Sequence, residues 1–380
     1  MGPLQVTCVL AAMVFVAAFS ILPTYAQSGR NRWFPEKQSF GAIGERLNAN
    51  TVTVVSGNPN GTYLSIAHDL AAVLDEGEDF RILPLIGQSA AQNIRDVRFL
   101  KGVDLGITQT NLLNAFRRSN ELGPLDGKIV YIAKLFSEEM HVVVRADSAV
   151  TSIEQLADKK VNFGSAGSGT QLSARDVFGR LNIKVQEVNL PQAEAVAKLK
   201  SGEVAASILI AGKPSATIAA MKAEDGLRLL PVPFTKQLHD DYLPGALTND
   251  DYPGLIATGD ELETIAVGAV LIAYNWPKGS EPYRRLEDLV GRLFSKLDEL
   301  KQAPRHPKWR EANFAAVLPG WARFAPADEW LARNRQALTA RNQFNEFLNS
   351  RPGGAAVASQ EERERLFLEF VKWGQARDRR

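Results

Sequence analysis

Residues 51–61, with the sequence TVTVVSGNPNG, decide the fold of this chain. The β-branched run Thr51–Val55 is typical of a strand, and the Ser-Gly-Asn-Pro-Asn-Gly run after it predicts a tight turn. Apolar side chains then recur at helical spacing, at Tyr63, Ile66, Ala67, Leu70, Ala71 and Leu74. A strand, a glycine-rich turn and a helix open a doubly wound α/β unit, in which ligands bind at the carboxyl ends of the strands.

The same pattern recurs along the chain and predicts two lobes, each with its own glycine-rich turn. Further strands are expected at 80–85, 103–107, 129–136, 141–145, 160–163, 185–190, 205–210 and 265–274, with helices between most of them. The apolar segment 265–274 is placed to return the chain to the first lobe. It and the segment 141–145 would therefore form a two-stranded hinge.

A chain of 380 residues is long enough for two domains. We assign residues 51–143 together with 256–325 to lobe 1, and residues 144–255 to lobe 2. Residues 27–50 are polar and mixed, which predicts a linker, and residues 326–380 predict a C-terminal helical extension.

Composition excludes several classes of protein. Lys and Arg total 44 against 43 Asp and Glu, so the formal net charge of +1 gives no reason to expect a nucleic-acid partner. Four His and one Cys are too few for a typical zinc or iron–sulfur site, so we expect neither a metal nor another cofactor.

The N-terminal segment predicts export. Residues 1–26 carry no charged side chain and contain the apolar run 9–21, which indicates a signal peptide that is either cleaved or retained as a membrane anchor. Cys8, the one cysteine, lies within it, so the cleaved protein would have no thiol in an oxidising compartment such as the periplasm.

The loop at 164–170, with the sequence GSAGSGT, is the strongest candidate for a ligand contact. Glycines let the backbone approach a ligand, and a helix N-terminus after the loop favours a carboxylate, phosphate or sulfate. The alternative is a tight turn whose Ser or Thr caps the helix without a ligand. A P-loop would need Lys where Thr170 stands, and a nucleophile elbow would need Gly at Ala166 and Thr170.

Other turns at strand ends provide the remaining candidates, including Tyr63 as an aromatic wall and Lys213 as a cation. The alternatives are that Tyr63 is packed under its helix and that Lys213 is solvated in a turn. The residues that we predict to bind ligand are Gly57, Asn58, Gly61, Thr62, Tyr63, Gly87, Ser89, Asn93, Gln109, Thr110, Asn111, Ser165, Ser168, Gly169, Thr170, Gly212, Lys213 and Pro214. The four histidines are scattered, so we expect no catalytic residue and no enzymatic activity.

The order of these motifs resembles the TAXI family, the solute-binding proteins of TRAP transporters. The matching stretches span about 50–320: 61–63, 87–93, 102–109, 156–164, 167–170, 211–214, 251–253 and 265–267. The resemblance implies a type II periplasmic-binding-protein fold with a hinged cleft. It also implies a small carboxylate-bearing solute, glutamate-like or a dicarboxylate, that is delivered to a TRAP-type membrane permease. The alternative that we retain is a periplasmic ligand sensor that signals to a membrane partner.

Overall fold

The structure, a computed structural model, describes residues 40–59 and 61–335 together with Arg365 and Phe367. The predicted signal peptide with Cys8 and most of the predicted C-terminal extension lie outside the described residues. Phe40–Ala49, within the segment that we interpreted as a linker, forms helix α1. Its Ile43 and Leu47 lie one turn apart, which is the spacing of a single helix face.

The described part of the chain alternates strands and helices. The strands β1 to β10 are Thr51–Val55, Arg81–Leu85, Leu105–Gln109, Ile129–Arg145, Lys160–Asn162, Gln186–Val188, Ala206–Ala211, Leu227–Leu230, Leu243–Thr248 and Glu261–Tyr274. The helices α2 to α10 are Thr62–Leu74, Ala90–Phe99, Thr110–Ser119, Gly169–Arg180, Gln192–Lys200, Ala216–Ala219, Glu281–Ser295, Leu297–Leu300 and Ala325–Arg333. Short 3-10 helices cover Ile153–Leu156, Ala223–Asp225, Lys236–Leu238 and Pro307–Glu311.

Two long strands run through both lobes and join their sheets. In the first lobe the strand order is β2-β1-β3-β10-β4, with β1 parallel to β2 and β3 and with β10 antiparallel to β3 and β4. In the second lobe β4 pairs with β7 and β8, while β5 lies between β6 and β7. The prediction of an α/β fold with two lobes and a two-stranded hinge is confirmed.

The hinge strands are longer than the sequence patterns indicated. The predicted strands at 129–136 and 141–145 are one strand, β4, because the polar residues between them stay in the extended ladder: Glu138 pairs in register with Val267 and Glu139 with Ala266. Strands β8 and β9 were not predicted. Both pair with the hinge strands, β8 with β4 and β9 with β10, so tertiary pairing supports segments whose local pattern is weak.

Apolar residues form one core in the first lobe and two clusters in the second. The first-lobe core joins β1, β3 and the N-terminal half of β4 to α8 and to Trp309. The second-lobe clusters lie around Val142 and Ile208 and around Val143 and Leu229. Among the residues described, no helix is long and apolar enough to cross a membrane.

Candidate functional site

A cavity of about 450 Å³ lies between the two lobes. The first lobe contributes the turn before α2, the start of α3, Gln109 and Glu138 to its lining. The second lobe contributes the loop before α5, the start of α6, the end of β7 and Ser215 with Thr217. This is the position at strand ends where an open α/β sheet binds its ligand.

Five helices of nine or more residues point their N-terminal ends at this cavity, and Ser215, the N-cap of the four-residue helix α7, also belongs to its lining. The residue that caps each of α2, α3, α4, α5 and α6 belongs to the lining: Gly61, Ser89, Gln109, Ser168 and Pro191. The first amide groups of a helix have no partner within it, and the helix dipole places partial positive charge at that end. Among the described residues, the lining carries no Lys or Arg side chain. The groups there that favour an anion are therefore the backbone amides of the helix N-termini.

The loop before α5 is shaped by glycine. Gly164 and Gly167 have φ of 82° and 74°, a left-handed conformation that side chains disfavour. Ser168 Oγ accepts a hydrogen bond from the Gln171 amide at 3.1 Å, and Thr170 Oγ1 accepts one from the Ile210 amide at 3.1 Å. Each hydroxyl uses an oxygen lone pair in these bonds, so its proton can still be donated to a ligand.

Close backbone approach between the lobes explains two other glycines. A Cβ on Gly169 would lie 2.9 Å from Gln109 Oε1 and 3.1 Å from the Ala90 Cβ. A Cβ on Gly212 would lie 3.0 Å from Thr62 Cγ2. A larger residue at Gly169 would therefore displace the Gln109 side chain or move the loop of the second lobe away from the first.

Glu138 is the one charged side chain in the lining, and its carboxyl group is buried with 4% exposure. Its Oε2 accepts a hydrogen bond from the Tyr63 hydroxyl at 2.5 Å and another from Gln109 Nε2 at 3.1 Å. Burial raises the pKa of Glu138 to about 7, against the lowering effect of the two hydrogen bonds. Sequence reasoning missed this residue because it lies in mid-strand, where carboxyl groups usually face solvent.

Glu139, the next residue of β4, does not line the cavity. Lys308 Nζ donates to Glu139 Oε1 at 2.6 Å, and the Lys213 amide donates to Glu139 Oε2 at 3.0 Å. Both Lys308 and Glu139 are buried, and burial raises the pKa of Glu139 against the pull of the lysine. The pair joins the hinge strand to the 3-10 helix Pro307–Glu311.

The structure brings eleven of the predicted site residues together in the lining. These are Gly57, Asn58, Gly61, Thr62, Tyr63, Ser89, Gln109, Ser165, Ser168, Gly169 and Thr170. The cavity also has lining residues that we did not predict, namely Pro59, Gln88, Ala90, Glu138, Pro191, Gln192, Ala193, Leu209, Ile210, Ala211, Ser215 and Thr217. Proline just before a helical pattern, as at Pro191-Gln192, is a sequence sign of a helix start. The lining stretch 191–193 could therefore have been predicted.

Four of the remaining predicted residues are used in packing the first lobe and its contact with the second. Asn93 is fully buried, and its Nδ2 donates to the carbonyls of Ser56 and Ile107 at 2.7 Å each. A Cβ on Gly87 would lie 2.5 Å from Asn93 Oδ1, so that glycine makes room for the asparagine. Thr110 lies against Gly268 of β10. Asn111 Nδ2 donates to Ser173 Oγ at 2.8 Å.

Lys213 and its neighbours Gly212 and Pro214 also lie outside the lining, and a ligand-binding role for Lys213 stays a prediction. Its Nζ donates to the Ala246 carbonyl and to Asp251 Oδ2, both at 2.8 Å. The ammonium group is thus held within the second lobe. Among the described residues, no cluster of three or more His, Cys, Asp and Glu side chains could hold a metal ion.

Comparison with known families matches residues 54–319 to the model of the NMT1-like family. The chain belongs to the NMT1-like family. Similar solved structures include the periplasmic aliphatic sulphonate binding protein SsuA from Escherichia coli, with 16% identity, a TM-score of 0.43, and coverage of 68% of this chain and 76% of that one. A TctC solute binding protein from Polaromonas shares 16% identity with a TM-score of 0.38, covering 66% and 88% of the two chains. A protein described as a periplasmic transporter shares 14% identity with a TM-score of 0.47, covering 76% and 93%. The TAXI resemblance within this NMT1-like chain stays a prediction.

Proposed function

We propose that this NMT1-like protein is an exported solute-binding protein that captures a small carboxylate-bearing solute, glutamate-like or a dicarboxylate. It would work in the periplasm and deliver the solute to a TRAP-type membrane permease, without catalysing a reaction. The observation that carries this proposal is the convergence of five helix N-termini on one cavity between two lobes. Backbone amides aimed at an anion bind it without a counter-charged side chain.

Contacts between the lobes support capture by closure. Thr62 Oγ1 of the first lobe donates to the Gly212 carbonyl of the second at 3.4 Å. The Ser173 hydroxyl of α5 donates to Gln109 Oε1 at 3.1 Å. A solute that touches both walls of the cavity adds to these contacts and so favours the closed arrangement, which a membrane partner can recognise.

The polar side chains of the lining support binding rather than turnover. Hydroxyl and amide groups predominate, and no histidine lies among them to act as a base for the serines. Apart from Glu138, whose Oε2 is bonded to Tyr63 and Gln109, the polar side chains of the lining are neutral groups without a base beside them to activate them. We therefore assign no catalytic residue.

The test is a thermal-shift panel of succinate, glutarate, L-glutamate, L-malate, phosphate and sulfate, followed by calorimetry of every compound that raises the melting temperature. A ligand that binds only the folded state must stabilise it, by about 2.7 kcal/mol at a hundredfold excess over Kd. If only phosphate or sulfate is bound, the cavity is an anion site but not a carboxylate site. If none of the six compounds is bound, the proposal is wrong.

Gly169→Val tests whether binding needs the lobes in contact. The added side chain meets Gln109 and Ala90, so we expect it to weaken carboxylate binding by about 1–3 kcal/mol. Gly179→Ala, in the same helix with open space around it, is the matched control and should leave affinity unchanged. Equal affinity for the two variants would show that the contact at Gly169 plays no part in binding.

A further inference from the structure

The two carboxyl oxygens of Glu138 have different surroundings. Oε2 already accepts two hydrogen bonds, from Tyr63 and from Gln109. Oε1 accepts none from the described residues, and Glu138 lines the cavity, so Oε1 is the oxygen left to a bound solute. A protonated Glu138 would therefore carry its hydrogen on Oε1 and use it as a donor.

Hydrogen bonds hold the Gln109 amide in the orientation in which its nitrogen donates to Glu138 Oε2. The Ser173 hydroxyl donates to Gln109 Oε1, while Asn111 Nδ2 donates to Ser173 Oγ. The amide oxygen of Gln109 is thus occupied by the second lobe, and its NH₂ group faces Glu138 Oε2. Both neighbours donate to Oε2, so the proton goes onto Oε1 as long as the Tyr63 hydroxyl keeps its role as donor.

The charged groups around Glu138 leave its own charge uncompensated. Tyr63 of α2 is a neutral donor, and burial raises the pKa of its hydroxyl well above the usual value. Glu139, on the same strand, adds a like charge, and Lys308 of the 3-10 helix adds an opposite one. Lys308 Nζ, however, donates to Glu139 and Glu311 at 2.6 Å each. An ionised Glu138 beside a bound dianion would therefore be repelled by it.

We propose that Glu138 determines the charge form in which the cavity accepts a solute: capture of a dianionic dicarboxylate takes up one proton from water onto Glu138 Oε1. The bond that held this proton in water or in the buffer acid breaks, the conjugate base stays in solution, and no other covalent bond forms or breaks. The protonated carboxyl group then donates a hydrogen bond to a solute carboxylate instead of repelling it. This inference rests on the proposed function, because it assumes that the cavity binds a small carboxylate.

A cavity of this kind binds a dianion more weakly as the medium becomes more alkaline. Burial holds the pKa of Glu138 near 7, so the empty protein loses this proton close to neutrality. Above that pH, uptake of one proton per solute makes the affinity fall about tenfold for each pH unit. The protein would then release a dicarboxylate more readily on the alkaline side of neutrality.

The experiment uses calorimetry of the full exported chain with succinate and glutarate at pH 6 and pH 8.5, in pairs of buffers that differ in ionisation enthalpy. The pair of buffers at each pH reports the number of protons taken up. At pH 8.5 we expect about one proton per succinate in the wild type. Glu138→Gln should bind with an affinity that no longer depends on pH and with no proton uptake. Glu263→Gln, which removes an exposed carboxyl group of β10, is the control and should retain the uptake.

Infrared difference spectra between wild type and Glu138→Gln follow the same proton independently of binding. We expect the C=O stretching band of a protonated carboxyl group to grow when succinate is added at pH 8.5, in the wild type alone. Binding with no proton uptake, or uptake that Glu138→Gln retains, overturns the inference while leaving the proposed function in place. If succinate and glutarate fail to bind at pH 6 while L-glutamate binds, the inference is likewise wrong and the proposed function stands. If no carboxylate binds at either pH, both are wrong.

Discussion

The two sides of β4 at the hinge carry neighbouring carboxyl groups in different surroundings. On the cavity side, Glu138 is held by the neutral donors Tyr63 and Gln109. On the other side, Glu139 is paired with the buried ammonium group of Lys308. Both carboxyl groups are nearly inaccessible to water, yet only Glu139 has a cation of its own. The difference shows that burial alone does not set the role of a carboxyl group: an ion pair favours a fixed charge, and neutral donors leave a group that can gain or lose a proton.

The largest effect expected from this comparison follows Lys308→Met. The substitution leaves Glu139 buried without a cation, which costs about 3–5 kcal/mol of stability. The loss should be greater at pH 8 than at pH 5, since Glu139 can become neutral at the lower pH. Urea unfolding at both pH values measures it, with the exposed Lys222→Met as the control. A loss under 1 kcal/mol would mean that the pair is not the stabilising element of this side.

Glu138→Gln should raise the free energy of unfolding, whereas Lys308→Met lowers it. The pKa of Glu138 is raised by folding, so the protonated form is the one that the native state favours. The carboxyl group has a pKa near 4.5 in the unfolded chain and about 7 in the folded protein. The folded protein therefore loses stability as the pH rises through this range, and the loss persists at higher pH. We expect the variant to be more stable than wild type by about 1–3 kcal/mol at pH 8, and to differ little at pH 4. If wild type and Glu138→Gln have the same pH dependence of unfolding, Glu138 does not change protonation as proposed, and it does not differ from Glu139 in this respect.

Tyr63→Phe sharpens the comparison from the donor side. It removes the shorter of the two hydrogen bonds to Glu138 Oε2. We expect the free energy of unfolding to fall by about 1–2 kcal/mol. The loss should be larger above pH 7, where the carboxylate form of Glu138 predominates. The same change should raise the pKa of Glu138 further, because that hydrogen bond lowers it. The infrared carboxyl band, followed against pH, measures the shift. Tyr283→Phe, whose hydroxyl forms no hydrogen bond with the described residues, is the control.

The smallest effect should follow Glu311→Gln. Glu311 shares Lys308 with Glu139, but its side chain is 39% exposed, so water replaces most of the interaction. We expect a change of about 0–1 kcal/mol in unfolding free energy. A loss as large as that of Lys308→Met would instead show that the three groups act as one unit.

Local patterns predicted much of the fold and part of the candidate site. The loops at 57–63 and 164–170 have turn chemistry, glycines and hydroxyls that identify them without a structure, and they line the cavity. Strands β8 and β9 lack such a pattern, because their stability comes from pairing with β4 and β10. The surroundings of Lys213 could not be read from the sequence, because a lysine at a strand end has the same local signature whether it faces a cavity or Asp251.

The sequence by itself determined the alternation of strands and helices and the places where helices begin. Those signals act over a few residues: β-branched runs, glycine turns, and a serine or proline at the start of a helix. Only the tertiary structure decided which helix starts meet at one cavity and that Glu138 lies among them. The proximity of Gly169 to Gln109 depends on the register of β4 and β10, which joins residues far apart in the chain and is encoded by no short segment.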